Sequence, residues 1–229
     1  MDLQQLIEFD QKLLLKLNGS DSVFWDHFMM AVTETVTWIP LFVALIYVLV
    51  KNTSWRDMLL IVIMIALCIT VADQFASSFC KPYFERFRPT NDPLLMYQVD
   101  VVDNYRCGRY GFISSHAANH FSIFVFISLL IRKRALTFTL FLNAVLCSYS
   151  RIYLGVHCPG DILAAMLWGL FTGAVVYWLY VRLYRRICEQ RSFISSQYTS
   201  TGYLVTDVQL LLSAFYLTLF FAAVYSCYL

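Results

Sequence analysis

DMLLIVIMIALCITVADQFASSF, residues 57–79, is a nearly unbroken apolar run whose only charged residues are Asp57 and Asp73. A bilayer hydrocarbon core about 30 Å thick needs about 20 apolar residues in a helix, so this stretch reads as a membrane span. Comparable runs lie at 28–50, 114–131, 135–154, 161–181 and 208–229. The predicted fold is therefore all-α, a polytopic membrane helical bundle of about six transmembrane helices. Composition agrees: 59% hydrophobic residues, 14% charged residues and a mean hydropathy of +0.62 lie outside soluble globular usage. No Gly/Ser/Pro-rich linker or internal repeat divides the 229 residues, so one membrane-embedded domain over 1–229 is expected.

Ahead of the first span, Leu3, Leu6, Ile7, Leu13, Leu14 and Leu17 fall mainly on one helical stripe that Asn18-Gly19 ends. This predicts an N-terminal interfacial helix. Glu8, Asp10, Lys12 and Lys16 interrupt it too often for a secretory signal. The net charge of +2, carried in short clusters, gives no reason to expect a nucleic-acid partner. Seven cysteines, an odd number spread over helices and loops, are no disulfide framework. Cys107 and Cys158 could pair if their face is extracytoplasmic, or remain free thiols.

Positive charge gathers in alternate loops: Lys51 and Arg56, then Arg132-Lys133-Arg134, then Arg182, Arg185, Arg186 and Arg191. Those loops are expected on the cytoplasmic side, with Arg182, Arg185 and Arg186 meeting anionic lipid. The opposite side then carries three polar islands: KPYFERFRP (81–89), ISSH (113–116) and SRIYLGVHCPGD (150–161). Because all three fall at the same end of their helices, residues distant in sequence can meet at one depth. Lys81 and Arg88 are seven apart and would share a helical face if the segment stays helical past Pro82, with Pro89 ending it. Ser114 suits the N-cap of the next span, which would direct the amides of Ser115 and His116 at an anion. His157 and Asp161 are four apart, close enough for the carboxylate to fix the imidazole tautomer. Three cations, two histidines, a serine and a carboxylate suit the grip of a phosphate dianion and attack on its phosphorus.

These residues resemble the type-2 phosphatidic acid phosphatase superfamily of membrane lipid phosphatases, whose signature runs K-x6-R-P, P-S-G-H and S-R-x5-H-x3-D. The first element is intact as Lys81, Arg88 and Pro89, and the third as Ser150, Arg151, His157 and Asp161. In the second, Ile113 replaces proline and Ser115 replaces glycine, while Ser114 and His116 remain; a side chain now stands where the family brings bare backbone to phosphate. The match occupies about residues 81–161. It implies catalysis by His157 as nucleophile, with Asp161 holding its other nitrogen and His116 as general acid then base. Lys81, Arg88, Ser114, Ser115 and Arg151 would bind substrate phosphate, with no metal and no cofactor.

Isolated polar residues carry blander readings. His27 reads as interfacial, and His120, one turn beyond His116, as a supporting partner. Glu34 and Asp73 sit inside apolar spans, where ionisable groups are costly, and a structural role is expected for both, by pairing within the bundle or by facing water. Arg86, Arg106 and Arg109 read equally as headgroup contacts or solvated loop cations, and the aromatic residues as interfacial belts. The resemblance implies a membrane-anchored lipid phosphate as substrate: an envelope lipid of a bacterium, lipid A phosphate first, with undecaprenyl diphosphate, phosphatidylglycerophosphate or phosphatidate as alternatives. The site would face the periplasm from the inner membrane. A lipid phosphotransferase would use the same side chains, whereas a noncatalytic scaffold would not need to retain all of them.

Overall fold

The computed structural model describes residues 2–187 and 196–228; Arg191 and Cys188 lie outside them. Helix α1 (Leu3–Leu17) opens with a capping box, in which Asp2 accepts from the Gln5 N–H at 2.8 Å and the Gln5 side chain accepts from the Asp2 N–H at 3.2 Å. Helices α2 (Val23–Thr33) and α3 (Ile39–Asn52) follow. Then comes one stretch made of α4 (Trp55–Gln74), a π-helical turn (Phe75–Cys80) and α5 (Lys81–Phe84). Helices α6 (Ser115–Ile131), α7 (Arg134–Tyr153), α8 (Pro159–Ile187) and α9 (Val205–Tyr228) complete the described chain. Among the described residues, five stretches are long and apolar enough to cross a membrane: Thr35–Asn52, Trp55–Phe84, Arg134–Tyr153, Pro159–Ile187 and Val205–Tyr228. Helix α6, with 17 residues, is a shorter apolar helix, about 26 Å long at 1.5 Å per residue.

The span predicted at 28–50 is divided. Glu34 takes an extended backbone (φ −76°, ψ 130°), and a short 3-10 turn, Thr35–Trp38, leads into α3. Two side chains satisfy carbonyls at the end of α2: Thr37 Oγ1 donates to Ala31 O at 2.6 Å and Trp38 Nε1 to Val32 O at 3.0 Å. Pro40 then enters α3 in its first turn, where its missing N–H is tolerated. Hydropathy averages over such a break. Glu34 is consequently exposed at the end of α2 rather than inside a span, which corrects its placement within one.

Helix α6 lies at the centre, packed against α4, α7 and α8, while α9 packs outside against α2 and α3. Its closest partner is α8, and two glycines one turn apart allow the approach. A Cβ at Gly169 would stand 2.5 Å from the Ala118 carbonyl oxygen, and one at Gly173 2.5 Å from that of Ser122. Helices in lipid associate through such small-residue contacts because apolar burial alone does not distinguish a neighbour from a lipid tail. At one end, Lys51 and Asn52 of α3 hold Asp207 of α9 at 3.0 and 2.9 Å. At the other, Leu14 of α1 is fully buried with Ala72, Ala76, Ala117, Ala118, Ile162 and Ala165 beneath the polar islands. Helix α1 thus seats one face on the ends of α7 and α8 while Leu6 and Phe9 remain exposed.

Gly169→Val should force α6 and α8 apart, lowering stability by about 1–3 kcal/mol. Thermal unfolding of the detergent-solubilised protein should show the loss, whereas Leu163→Val on the exposed side of α8 should unfold like the parent.

Candidate active site

Lys81 and Arg88 do meet, but not on one helical face. The helix ends at Phe84, where Glu85 turns left-handed (φ 45°) and donates its N–H to Lys81 O at 3.1 Å. Residues 86–88 then run extended beside 109–111: Arg88 N–H donates to Arg109 O at 3.0 Å and Gly111 N–H to Arg86 O at 2.9 Å. Alternation along this extended segment sends Arg86 and Arg88 to related positions around the third island. The π-helical turn before Lys81 also matters locally, since widening the helix accommodates Pro82, which has no N–H to donate. Lys81 Nζ donates to Ser77 Oγ at 3.0 Å and to Ser115 Oγ at 3.1 Å, and Ser77 donates to Asp73 at 3.2 Å. Asp73 therefore has the structural role expected of it. Ser115, where the family signature has glycine, adds a hydroxyl that holds the lysine; Ile113, where it has proline, is buried with Leu14 and Ala117.

Arg88 is buried and spends its donors on neutral acceptors. Its Nε reaches Tyr110 O at 3.1 Å, while Nη1 reaches Val156 O at 3.2 Å and His157 Nε2 at 2.8 Å. An arginine has no acceptor, so Nε2 of His157 carries the lone pair and the neutral ring bears its proton on Nδ1. That Nδ1 faces Asp161 Oδ2 at 3.5 Å, a separation that must shorten for a strong hydrogen bond. Burial, then the charges of Arg88, Arg151 and Lys81, hold the His157 pKa well below the ordinary histidine value; a backbone contact with Gly111 works weakly the other way. The ring is a neutral imidazole with its nucleophilic nitrogen directed at a cation.

Arg151, also buried, donates from Nη1 to Thr33 Oγ1 at 2.6 Å and to the Tyr105 hydroxyl at 2.8 Å, and from Nη2 to Cys107 Sγ at 3.2 Å. Among the described residues, neither Arg88 nor Arg151 has a carboxylate within ion-pair distance. Ser114 is buried at the N-cap of α6, accepting from the Ala117 N–H at 3.4 Å as expected. Its neighbour His116 lies within electrostatic reach of Arg151 and His157, packs against the His120 ring at 4.8 Å, and leaves Nε2 buried without a hydrogen-bond partner. The residues singled out as Lys81, Arg88, Ser114, Ser115, His116, Arg151, His157 and Asp161 thus gather at one end of the bundle.

Other residues fall differently. Cys107 and Cys158 are both free thiols, one beside Arg151 and the other buried beneath Asp161, so the possible disulfide is not formed. Arg106 donates to Thr90 O at 2.8 Å, and Arg109 lies over the Phe87 and Tyr110 rings, so both brace the loop. Arg182 lies over Trp178, and Arg185 and Arg186 are exposed at the far end of α8. Arg86, assigned to headgroup or solvent, instead binds Asp161 Oδ1 at 2.9 Å and Asp10 Oδ2 at 2.6 Å. Asp10 went unassigned, although it interrupts the stripe of Ile7, Leu14 and Leu17, a readable sign of a carboxylate turned inward. Among the described residues no group of three or more His, Cys, Asp or Glu side chains is arranged for a metal ion.

Comparison with known proteins gives concordant results. The model of the PAP2 superfamily matches residues 57–185. A lipid A 4'-phosphatase of Bacteroides thetaiotaomicron is 42% identical over 186 residues, covering 81% of this chain and 83% of that protein. One from Porphyromonas gingivalis is 36% identical over 179 residues, covering 78% and 76%. In fold, the chain is similar to the crystal structure of Aquifex aeolicus LpxE (TM-score 0.54, 22% identity, 72% of this chain and 92% of that one). It is also similar to a transmembrane PAP2-type phosphatidylglycerolphosphate phosphatase from Bacillus subtilis (TM-score 0.57, 20% identity, 82% and 89%).

The electrostatics of this cluster are directly measurable. The 15N resonances of His157, assigned with His157→Asn, should keep neutral-imidazole shifts down to about pH 5.5, where an ordinary histidine with a pKa near 6.5 is mostly protonated. A protonation midpoint at or above about 6.5 would mean that the three cations do not act on this ring.

Proposed function

Because the chain belongs to the PAP2 superfamily, we propose that it is an integral-membrane lipid phosphatase that removes a phosphate monoester, the 4'-phosphate, from lipid A. The observation that carries this reading is the pair of buried guanidiniums, Arg88 and Arg151, held around a neutral imidazole without carboxylate partners. Buried charges are stable only when paired, so this arrangement is built for an incoming anion with charge to spread over several oxygens. The names of the two relatives support lipid A as its carrier.

Substrate phosphate enters between Lys81, Arg88 and Arg151, drawing the Arg88 donor away from Nε2 and onto a nonbridging oxygen. The freed Nε2 lone pair attacks phosphorus in line, and the bond from phosphorus to the lipid oxygen breaks as the P–N bond forms. His116, protonated as the incoming phosphate dianion offsets the neighbouring cations, gives its proton to the departing lipid oxygen and is left neutral. Positive charge now on the His157 ring is met at Nδ1 by Asp161, and the N–H···O contact tightens. Water, surrendering a proton to His116, then attacks phosphorus; the P–N bond breaks, its electrons return to Nε2, and inorganic phosphate leaves. The three cations and the amides at the start of α6 offset the charge of both transition states.

The orientation that fits this reading puts the site on the periplasmic side of the inner membrane. Its support is the basic character of the opposite end, where Lys51, Arg56, Arg132, Lys133, Arg134, Arg182, Arg185 and Arg186 lie. Helix α6 starts at the site and is short, which leaves reacting groups set back from the boundary, accessible to a headgroup whose acyl chains stay in lipid.

Purified protein in proteoliposomes containing a metal chelator should release phosphate from lipid A faster than from undecaprenyl diphosphate, phosphatidylglycerophosphate or phosphatidate. His157→Ala should abolish release, Lys81→Ala should lower kcat/KM by about a hundredfold or more, and vanadate should inhibit. Turnover of a glycerolipid phosphate well above that of lipid A would reassign the substrate, and activity of His157→Ala would remove the nucleophile.

A further inference from the structure

The carboxylate that faces His157 belongs to a longer chain of charges. Asp161 is fully buried, and both of its oxygens are engaged: Oδ1 accepts from Arg86 Nη1 at 2.9 Å and Oδ2 from the Cys158 N–H at 3.0 Å. These two contacts fix the rotation that leaves Oδ2 opposite His157 Nδ1. Arg86 continues through Nη2 to Asp10 Oδ2 at 2.6 Å, and Asp10 Oδ1 accepts the Gly160 N–H at 2.7 Å, at the start of α8. Asp10 is only 13% exposed and Arg86 24%. Gly160 leaves the seat for this carboxylate, since a Cβ there would lie 2.8 Å from Asp10 Oδ2.

Charge arithmetic gives the arrangement a purpose. A buried carboxylate needs a cation to remain ionised. A cation paired with Asp161 alone, however, would make a neutral pair and cancel the field that must stabilise positive charge on the His157 ring. A second carboxylate on the far side of the guanidinium returns the group of three to a net charge of minus one. We propose that Asp10 and Arg86 are positioning residues for the phosphatase reaction, holding Asp161 against His157 and preserving its negative field, so that α1 is a working part of the active site. This inference rests on the phosphohistidine reading above. It assigns a catalytic consequence to a helix that otherwise only covers the ends of α7 and α8.

The test is a double-mutant cycle on the full chain in proteoliposomes, with lipid A as substrate and His157→Ala as control. Asp10→Asn, nearly isosteric, should lower kcat roughly ten- to a hundredfold, the range seen when an outer partner of a functional ligand is removed. KM should stay within about twofold, because the phosphate-binding cations are untouched. Gly160→Ala, which displaces the Asp10 carboxylate while keeping its charge in the chain, should produce the same split. In an Arg86→Gln background, Asp10→Asn should cost nothing further, since Asp10 acts only through Arg86. Wild-type kcat in Asp10→Asn, a loss confined to KM or to the unfolding temperature, or multiplying losses in the double variant would overturn the proposal. Should Arg86→Gln fail to fold, Asp10→Asn and Gly160→Ala decide between the same outcomes. An active His157→Ala would instead remove the underlying phosphohistidine reading and this inference with it.

Discussion

Arg88 and Arg151 are held out of water with hydroxyls, carbonyls, a thiol and an imidazole as partners, and the rest of the site follows from that constraint. Two buried guanidiniums repel one another and have lost their hydration, so the folded protein carries a standing cost that a dianion relieves. The same field holds His157 as a neutral imidazole, because an imidazolium there would be a fourth cation beside Lys81, Arg88 and Arg151. Arg88 has two uses in this scheme. Before substrate arrives it hydrogen-bonds the nucleophilic nitrogen, and after arrival the phosphate competes for the same donor.

Such a cluster can exist in a membrane bundle because several helices begin or end at one depth. The N-cap of α6, the last turn of α7 and the first turn of α8 supply Ser114, Arg151 and Asp161, while the segment after α5 supplies Arg88. Close packing of α6 on α8 through Gly169 and Gly173 fixes the separation between Ser114 and Asp161 at their shared end, where the Ser114 N–H donates to Asp161 O at 3.4 Å. Packing in the bilayer and geometry in the site are therefore one problem, and a methyl group several turns below the chemistry can disturb both.

Much of this was legible in the residue order, and the reasons differ by element. The spans could be read because bilayer thickness sets a length that apolar runs either meet or fail to meet, as 57–79, 135–154 and 161–181 show. The candidate site residues could be picked out because their spacing repeats the family signature, and the fold brings them to one end of the bundle. Breaks in regular structure were hidden. The division at Glu34 depends on side chains of Thr37 and Trp38 capping carbonyls six residues away, and the end of α5 depends on a left-handed turn at Glu85 followed by pairing with 109–111. Asp10 was hidden for a further reason: its partner Gly160 lies 150 residues away. Local pattern could mark that carboxylate as misplaced in an apolar stripe but could not say what it met.

The claim on which the whole account turns is a covalent bond between phosphorus and His157 Nε2. Rapid mixing of the protein with lipid A labelled with 32P at the 4' position, quenched in base within the first turnover and digested for mass spectrometry, measures it directly. The account predicts an acid-labile, base-stable phosphate on the peptide containing His157, appearing before free phosphate and missing from His157→Ala. Phosphate release with no labelled protein at any time, or label carried by a different residue, would contradict it.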